Sequence, residues 1–165
     1  MMKMKNHIFN ILFVYLAGGA IVLTQPAQAQ SPDASKRADL NLEKGIAISG
    51  YDPVTYFTLG RAVYGNSSYS FPYNGAIYHF SSEANLDSFK MNPGKYEPQY
   101  GGWCAYAMGK DGIKVKIDPA TFKIIDNKLY LFYNFHFNNT LKKWNEDESS
   151  LLKVANENWN KLMPK

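Results

Sequence analysis

Short runs of strand-forming residues fill the middle of the chain, and they predict β-strands joined by tight turns. One such stretch spans residues 69–80 around Asn74-Gly75, and a second spans residues 122–133 around Asp126-Asn127. Asn-Gly between such runs is the strongest short hairpin signal, because both central residues of the turn need a positive φ. The pattern therefore predicts two β-hairpins.

Apolar residues at helical spacing predict one helix between the hairpins and two more at the C-terminal end. Ser81 or Ser82 can cap a helix over residues 83–91, and Pro93 stops it. Together with the hairpins, this helix indicates an α+β fold. The C-terminal helices are predicted from the apolar positions Phe137, Leu141 and Trp144, at i, i+4 and i+7, and from residues 151–162 after an acidic break.

The N-terminal end has the order of a secretory signal peptide. Lys3 and Lys5 precede an apolar run over residues 8–23, and Ala27-Gln28-Ala29 fits the small-residue cleavage rule. The alternative is an uncleaved membrane anchor, since the run is close to the shortest that spans a bilayer. We expect cleavage after Ala29, which places the protein in the periplasm or outside the cell without a stable membrane anchor.

The remaining residues form one domain of ordinary size. Residues 30–44 are polar and are predicted as a flexible lead-in, and residues 45–165 form the domain. Gly50 and Pro53 predict a turn near its start, followed by a short strand that ends at Phe57.

The charge and the cysteine content exclude some partners and some covalent structure. The formal charge of +4 includes two lysines of the signal segment, and no basic cluster dominates the rest, so a nucleic-acid partner is not expected. Cys104 is the single cysteine, which excludes an internal disulfide. Its thiol is therefore buried and inert, paired with another molecule, or bound to a ligand.

Candidate chemistry comes from few residues. Cys104 with His79 or His136 is formally a Cys–His pair, but no nucleophile motif surrounds the cysteine, and no catalytic residue is assigned. Aromatic residues near glycines, prolines and turns either line a ligand pocket or serve as core bulk. These candidate ligand-binding residues are Tyr51, Tyr56, Tyr78, Tyr100 and Trp103.

Several motifs, in order and spacing, resemble exported bacterial YHS-domain proteins, a largely uncharacterised branch of the YHS family. The resemblance covers nearly all of residues 45–160. The motifs are Gly50-Tyr51-Asp52-Pro53-Val54-x-Tyr56-Phe57, then Tyr73-Asn74-Gly75-Ala76-x-Tyr78-His79-Phe80-Ser81-Ser82-Glu83-x-Asn85, then Asn92-Pro93-x-Lys95-Tyr96-x-Pro98-Gln99-Tyr100-Gly101-Gly102-x-Cys104-Ala105, and finally Asp118-Pro119, Leu129-Tyr130-Leu131 and Asn158-Trp159.

The resemblance implies a small treble-clef-like scaffold, which in the metal-linked members of the wider family carries cysteine ligands. Thr55, Ser81 and Asn85 occupy the places of those cysteines here, so a site of four thiolates is impossible. Thiolates suit copper and zinc because they are soft, anionic donors. The remaining soft donors predict a metal site, with copper as its most plausible ion, at Cys104, His79 and Met108.

We therefore expect an exported, non-enzymatic binding protein that handles a metal ion or a small ligand. One alternative is an accessory domain that contacts an exported protein partner and holds no ligand. A further alternative is an enzyme, which would need a perturbed acid or base beside a pocket.

The signal peptide is tested by the N terminus of the exported protein. We expect N-terminal sequencing to begin at Gln30, because the cleavage rule is satisfied by Ala27 and Ala29. Retention of Met1 in the exported protein would show that the segment is an anchor instead.

Overall fold

Strands and short helices alternate along the chain, which confirms the α+β prediction. The computed structural model describes residues 37–163, so the predicted signal peptide lies outside the described residues. The strands are β1 (Leu42–Glu43), β2 (Ile46–Ala47), β3 (Asn66–Tyr73), β4 (Ala76–Phe80), β5 (Asp118–Ile125), β6 (Lys128–Phe132), β7 (Asn134–Phe135) and β8 (Asn138–Asn139). The α-helices are α1 (Thr55–Thr58), α2 (Glu83–Met91), α3 (Pro93–Tyr96), α4 (Ala105–Asp111), α5 (Thr140–Glu146) and α6 (Glu148–Leu162), and the 3₁₀ turns are η1 (Ile48–Gly50) and η2 (Gln99–Gly102).

The first sheet has the strand order β1-β2-β4-β3 and is antiparallel except where β2 runs parallel to β4. Successive side chains of a strand point to opposite faces. On β4 this rule puts Ala76, Tyr78 and Phe80 on the buried face, while Ile77 lies on the exposed one. One face of the sheet therefore forms one side of a hydrophobic core.

Helix α2 contributes one buried ring to that core. Phe89 is fully buried, and its ring packs against the rings of Tyr78 and Phe80 at centroid distances of 4.8 and 5.1 Å. The helix begins where predicted, because the Ser82 hydroxyl accepts a hydrogen bond from the Asn85 N–H. Pro93 then opens α3 as its first residue.

Strand β6 connects this core to a second one. Leu129 and Leu131 belong to the cluster around Phe89, whereas Tyr130 and Phe132 pack into a cluster with Trp144 of α5. Both faces of β6 are therefore buried, as its unbroken apolar run suggests. Within residues 37–163, no helix is long and apolar enough to cross a membrane.

Both predicted hairpins form. Asn74 and Gly75 have φ values of 47° and 85°, and Asp126 and Asn127 have values of 49° and 58°. The registers Tyr73↔Ala76 and Ile125↔Lys128 leave two residues in each turn. Two smaller hairpins, β1–β2 and β7–β8, were not predicted because two-residue strands carry no readable alternation.

The predicted strand ending at Phe57 is wrong. Thr55–Thr58 is a helical turn instead, because Asp52 closes it from the N-terminal side. Its Oδ1 accepts a hydrogen bond from the Val54 N–H at 2.9 Å, and its carbonyl oxygen accepts one from the Thr55 hydroxyl at 2.9 Å. Gly50 and Pro53 indicate a turn, but they do not determine the conformation of the residues after it.

The helical position predicted for Phe137 is also wrong. Helix α5 begins at Thr140, capped by the Asn139 side chain, and Phe137 lies in the β7–β8 turn with a φ of 60°. The i, i+4 spacing to Leu141 is therefore coincidental. Part of the predicted lead-in over residues 30–44 is ordered. It contains strand β1, which forms because it pairs with β2.

Candidate functional site

A buried carboxylate joins the segment before α1 to the start of α2. Asp52 is fully buried. Its Oδ2 accepts hydrogen bonds from the Ser81 N–H at 2.8 Å, the Ser81 hydroxyl at 2.7 Å and the Asn85 side-chain amide at 2.7 Å. With the Val54 N–H on Oδ1, four donors surround this carboxylate, which can only accept.

The three positions at which the YHS resemblance implies cysteines meet at Asp52. Ser81 and Asn85 donate to its carboxylate, and Thr55 donates to its carbonyl oxygen. The Asn85 amide also lies 3.2 Å from the Ser81 hydroxyl oxygen. The positions therefore converge as metal ligands must, but the side chains that fill them form a hydrogen-bond network around a carboxylate.

The predicted metal ligands have different surroundings. Cys104 is fully buried, its Sγ accepts a hydrogen bond from the Tyr133 N–H at 3.3 Å, and it lies 3.5 Å from the Thr140 hydroxyl. Met108 is buried in the second core, with Trp144 among its cluster. The structure does not bring the Cys104 thiol into hydrogen-bond contact with His79, whose ring lies beside Gly50.

No group of three or more His, Cys, Asp or Glu side chains within residues 37–163 could hold a metal ion. Cys104 does line a cavity of about 270 Å³, with Tyr106, Tyr133, Lys110 and Lys143 also in its wall. Metal binding at Cys104, His79 and Met108 stays a prediction.

The five candidate ligand-binding aromatics separate into two groups. Tyr78 and Tyr100 line one cavity, and the others lie outside its wall. Tyr51 stacks on Tyr64, at a centroid distance of 3.9 Å, and this partner's hydrogen bond raises the pKa of Tyr51 to about 12. The remaining two donate to backbone: Tyr56 to the carbonyl of Pro119 at 2.9 Å, and Trp103 to that of Asp39 at 2.7 Å.

The Tyr78–Tyr100 cavity has a volume of about 300 Å³, and its wall includes residues of β4, α3, η2 and α6. Tyr78 comes from β4, Tyr100 from η2 and Trp159 from α6, and Glu97 and Pro98 lie between α3 and η2. A volume near 300 Å³ is at the lower end of the range for small-molecule sites, and aromatic walls with few polar groups are typical of them.

Glu97 is the only charged residue among those that line this cavity within the described chain. Its carboxylate accepts hydrogen bonds from the Asn74 side chain, at 3.3 and 3.4 Å, and from the Tyr78 hydroxyl. Burial, and then the charge of Glu97, raise the pKa of Tyr78. Burial likewise raises the pKa of Tyr100, whose hydroxyl donates to Asn156 at 3.0 Å. Both phenols are therefore neutral at physiological pH.

A strained turn shapes one wall of the cavity. Tyr100, Gly101 and Gly102 all have positive φ, at 55°, 60° and 82°. A Cβ on Gly101 would lie 2.9 Å from the Asp39 carbonyl oxygen and 3.1 Å from the Trp159 ring, so glycine is needed there. Such strained backbone clusters at binding sites, where the surrounding structure holds it in place.

Sequence reasoning missed Glu97 and Trp159 as cavity residues, and it missed Asp52 as the centre of a network. Glu97 and Trp159 are distant in sequence from Tyr78, so no spacing connects them. Asp52 did leave a signal. Three polar residues replace the cysteines that the resemblance implies, and polar side chains brought together in a fold need hydrogen-bond partners.

Comparison with known proteins identifies one domain. A YHS domain is found at residues 54–100, a span from just before α1 to Tyr100. No curated protein and no solved structure matches the chain. The matched residues contain Ser81 and Asn85 of the Asp52 network, and Tyr78 and Glu97 of the cavity.

The Asp52 network is tested by Asp52→Asn. The amide would replace one acceptor oxygen by an NH2 group, which in either orientation faces a donor of Val54 or of Ser81 and Asn85, so we expect the free energy of unfolding to fall by about 2 to 4 kcal/mol. Urea denaturation measures the change. The control is Asp126→Asn, the same change at an exposed turn residue, which should shift stability by less than about 0.5 kcal/mol. Equal effects of the two substitutions would contradict the role given to Asp52.

Proposed function

We propose that this chain is an exported, non-enzymatic binding domain whose ligand is a small amine with an apolar body. The observation that carries the proposal is the composition of the Tyr78–Tyr100 cavity, where one carboxylate faces a wall of aromatic and apolar groups. An ammonium group complements the charge of Glu97, and aromatic faces attract cations.

The contacts around Glu97 support an orienting role. Asn74 and Tyr78 hold the carboxylate from two sides, which fixes its position before a ligand arrives. Tyr100 and Trp159 pack edge to face at a centroid distance of 6.2 Å and offer ring surface to the apolar body. The arrangement supplies binding groups, and its phenols are too weakly acidic to exchange protons near neutral pH.

The amine proposal is tested with two probes of similar size and opposite charge, phenethylamine and 3-phenylpropanoic acid. We expect the amine to shift the NMR signals of the amides over residues 94–101 and of the Trp159 indole N–H, and the acid to leave them in place. Glu97→Gln should weaken amine binding by about tenfold or more, since hydrogen bonds to charged groups are the stronger class.

The matched control is Glu157→Gln, which removes an exposed carboxylate of α6 and should leave the affinity unchanged. Equal binding of acid and amine, or amine binding that survives Glu97→Gln, would refute the proposed ligand class. Thermal melting of each variant separates a loss of binding from a loss of folding.

Copper binding at Cys104 is the second candidate function, favoured by the cavity that this thiol lines. Cu(I) binding there would displace the Tyr133 N–H from Sγ and would need at least one further donor, whereas Met108 packs in the second core and the His79 ring lies beside Gly50. We therefore rank it below the amine site.

Titration of the reduced protein with Cu(I) against a competing chelator tests this second candidate. Binding that is tighter than micromolar and is lost in Cys104→Ser would establish the copper site. Equal binding by Cys104→Ser and the unmodified protein would exclude it. A matched control is Met91→Leu, which alters an exposed methionine that does not line the Cys104 cavity.

A further inference from the structure

The β7–β8 turn has a bulky residue at both of its central positions. Two-residue turns with positive φ at both positions favour glycine, asparagine and aspartate. Two hairpins of the described chain follow this preference at both positions, a third follows it only at its glycine, and the last places two bulky residues at φ values of 52° and 60°. In chain order, the turns are Lys44-Gly45, Asn74-Gly75, Asp126-Asn127 and His136-Phe137.

Packing does not explain the aromatic residue at this turn. Phe137 is more exposed than in an extended reference peptide, at 111%. Phe135, at 44%, keeps one ring contact, to Tyr133 at 5.2 Å. A residue that strains the backbone and contacts no core is expected to serve recognition.

The base of the hairpin is held firmly. The backbone N–H and the hydroxyl of Thr140 donate to the Tyr133 carbonyl, at 3.0 and 2.8 Å, and the Asn134 side chain donates to the Thr121 hydroxyl at 3.0 Å. The hairpin therefore presents Phe137 from a fixed position, and little order remains to be gained when the tip meets a partner.

Lysines surround that base. Lys110 and Lys143 line a cavity together with the hairpin residue Asn138, and Lys116 lines another together with Phe135. The first wall also contains the carboxylate of Asp111, and the second contains that of Glu43. The two walls together therefore carry three lysines and two carboxylates. Exposed Lys142 follows the hairpin in the first turn of α5 and adds to the positive excess.

We infer that this hairpin docks the protein on an anionic lipid surface, with Phe137 entering the headgroup boundary and the lysines meeting lipid phosphates. An aromatic tip with cations set back from it matches the layered polarity of a membrane interface. A protein partner would instead have to provide a pocket for the exposed Phe137 ring.

Vesicle sedimentation tests this inference, with phosphatidylcholine alone and with phosphatidylcholine mixed with phosphatidylglycerol. The full chain is isolated from expressing cells, and mass spectrometry confirms that all variants share one N terminus. Phe137→Asn removes the ring and suits the left-handed backbone, so the protein should stay folded while its partitioning to the anionic vesicles falls about tenfold. Lys110→Gln with Lys143→Gln should also weaken that partitioning by about tenfold or more.

The control is Met91→Asn, because Met91 is 80% exposed and lies outside the hairpin. It should leave partitioning unchanged. A second readout is the fluorescence that Phe137→Trp adds, which brominated phospholipids should quench. This readout reports on position 137 alone, so it does not depend on any binding by the N-terminal segment. Partitioning that depends on the lysines but not on Phe137, or an unquenched tryptophan at position 137, would overturn the inference. So would Phe137-dependent capture of a protein without vesicle binding.

Discussion

The buried carboxylate of Asp52 is the interaction on which the N-terminal half of the fold depends. Its two oxygens receive donors from the segment that becomes α1 and from the first residues of α2. These segments are about thirty residues apart, and β3 and β4 lie between them. Because a buried carboxylate is costly without donors, the network forms only when both segments are in place. The start of α2 is thereby fixed, and with it the position of Phe89 in the core.

Strand β6 connects the N-terminal half of the fold to the C-terminal half. Its side chains alternate between the cluster around Phe89 and the cluster around Trp144, so one strand contributes to both cores. Cys104 pairs with Leu131 of this strand through a backbone bridge, which explains its complete burial. The same packing brings α6 close to η2, where Trp159 meets Tyr100. The proposed amine cavity is therefore a product of both halves: the YHS domain contributes Tyr78, Glu97 and Tyr100, and α6 contributes Trp159.

Backbone strain occurs at both proposed sites, and it also occurs at Ile48 and Ser49 of η1, to which no function is assigned. Asn74-Gly75 and Asp126-Asn127 have residues that accept a positive φ at little cost. Tyr100 and Phe137 do not, yet one lines the cavity and the other forms the exposed tip of a hairpin. In both places a side chain of specific chemistry occupies a position that local preference would give to a smaller residue. Departures of this kind concentrate at functional sites in natural proteins.

The sequence by itself determined the features that depend on neighbouring residues. The α+β class, the hairpins at Asn74-Gly75 and Asp126-Asn127, and helix α2 with its serine cap all follow from local turn chemistry and capping. Tertiary structure decided what depends on distant residues. Thr55–Thr58 became helical because Asp52, which accepts hydrogen bonds from Val54 and Thr55, is itself held by Ser81 and Asn85. Of the five aromatic candidates, Tyr78 and Tyr100 share a cavity because β4, η2 and α6 converge there, and Glu97 gives that cavity its charge. No spacing along the chain encodes such a meeting, since it arises only when the burial of apolar surface brings separate elements together.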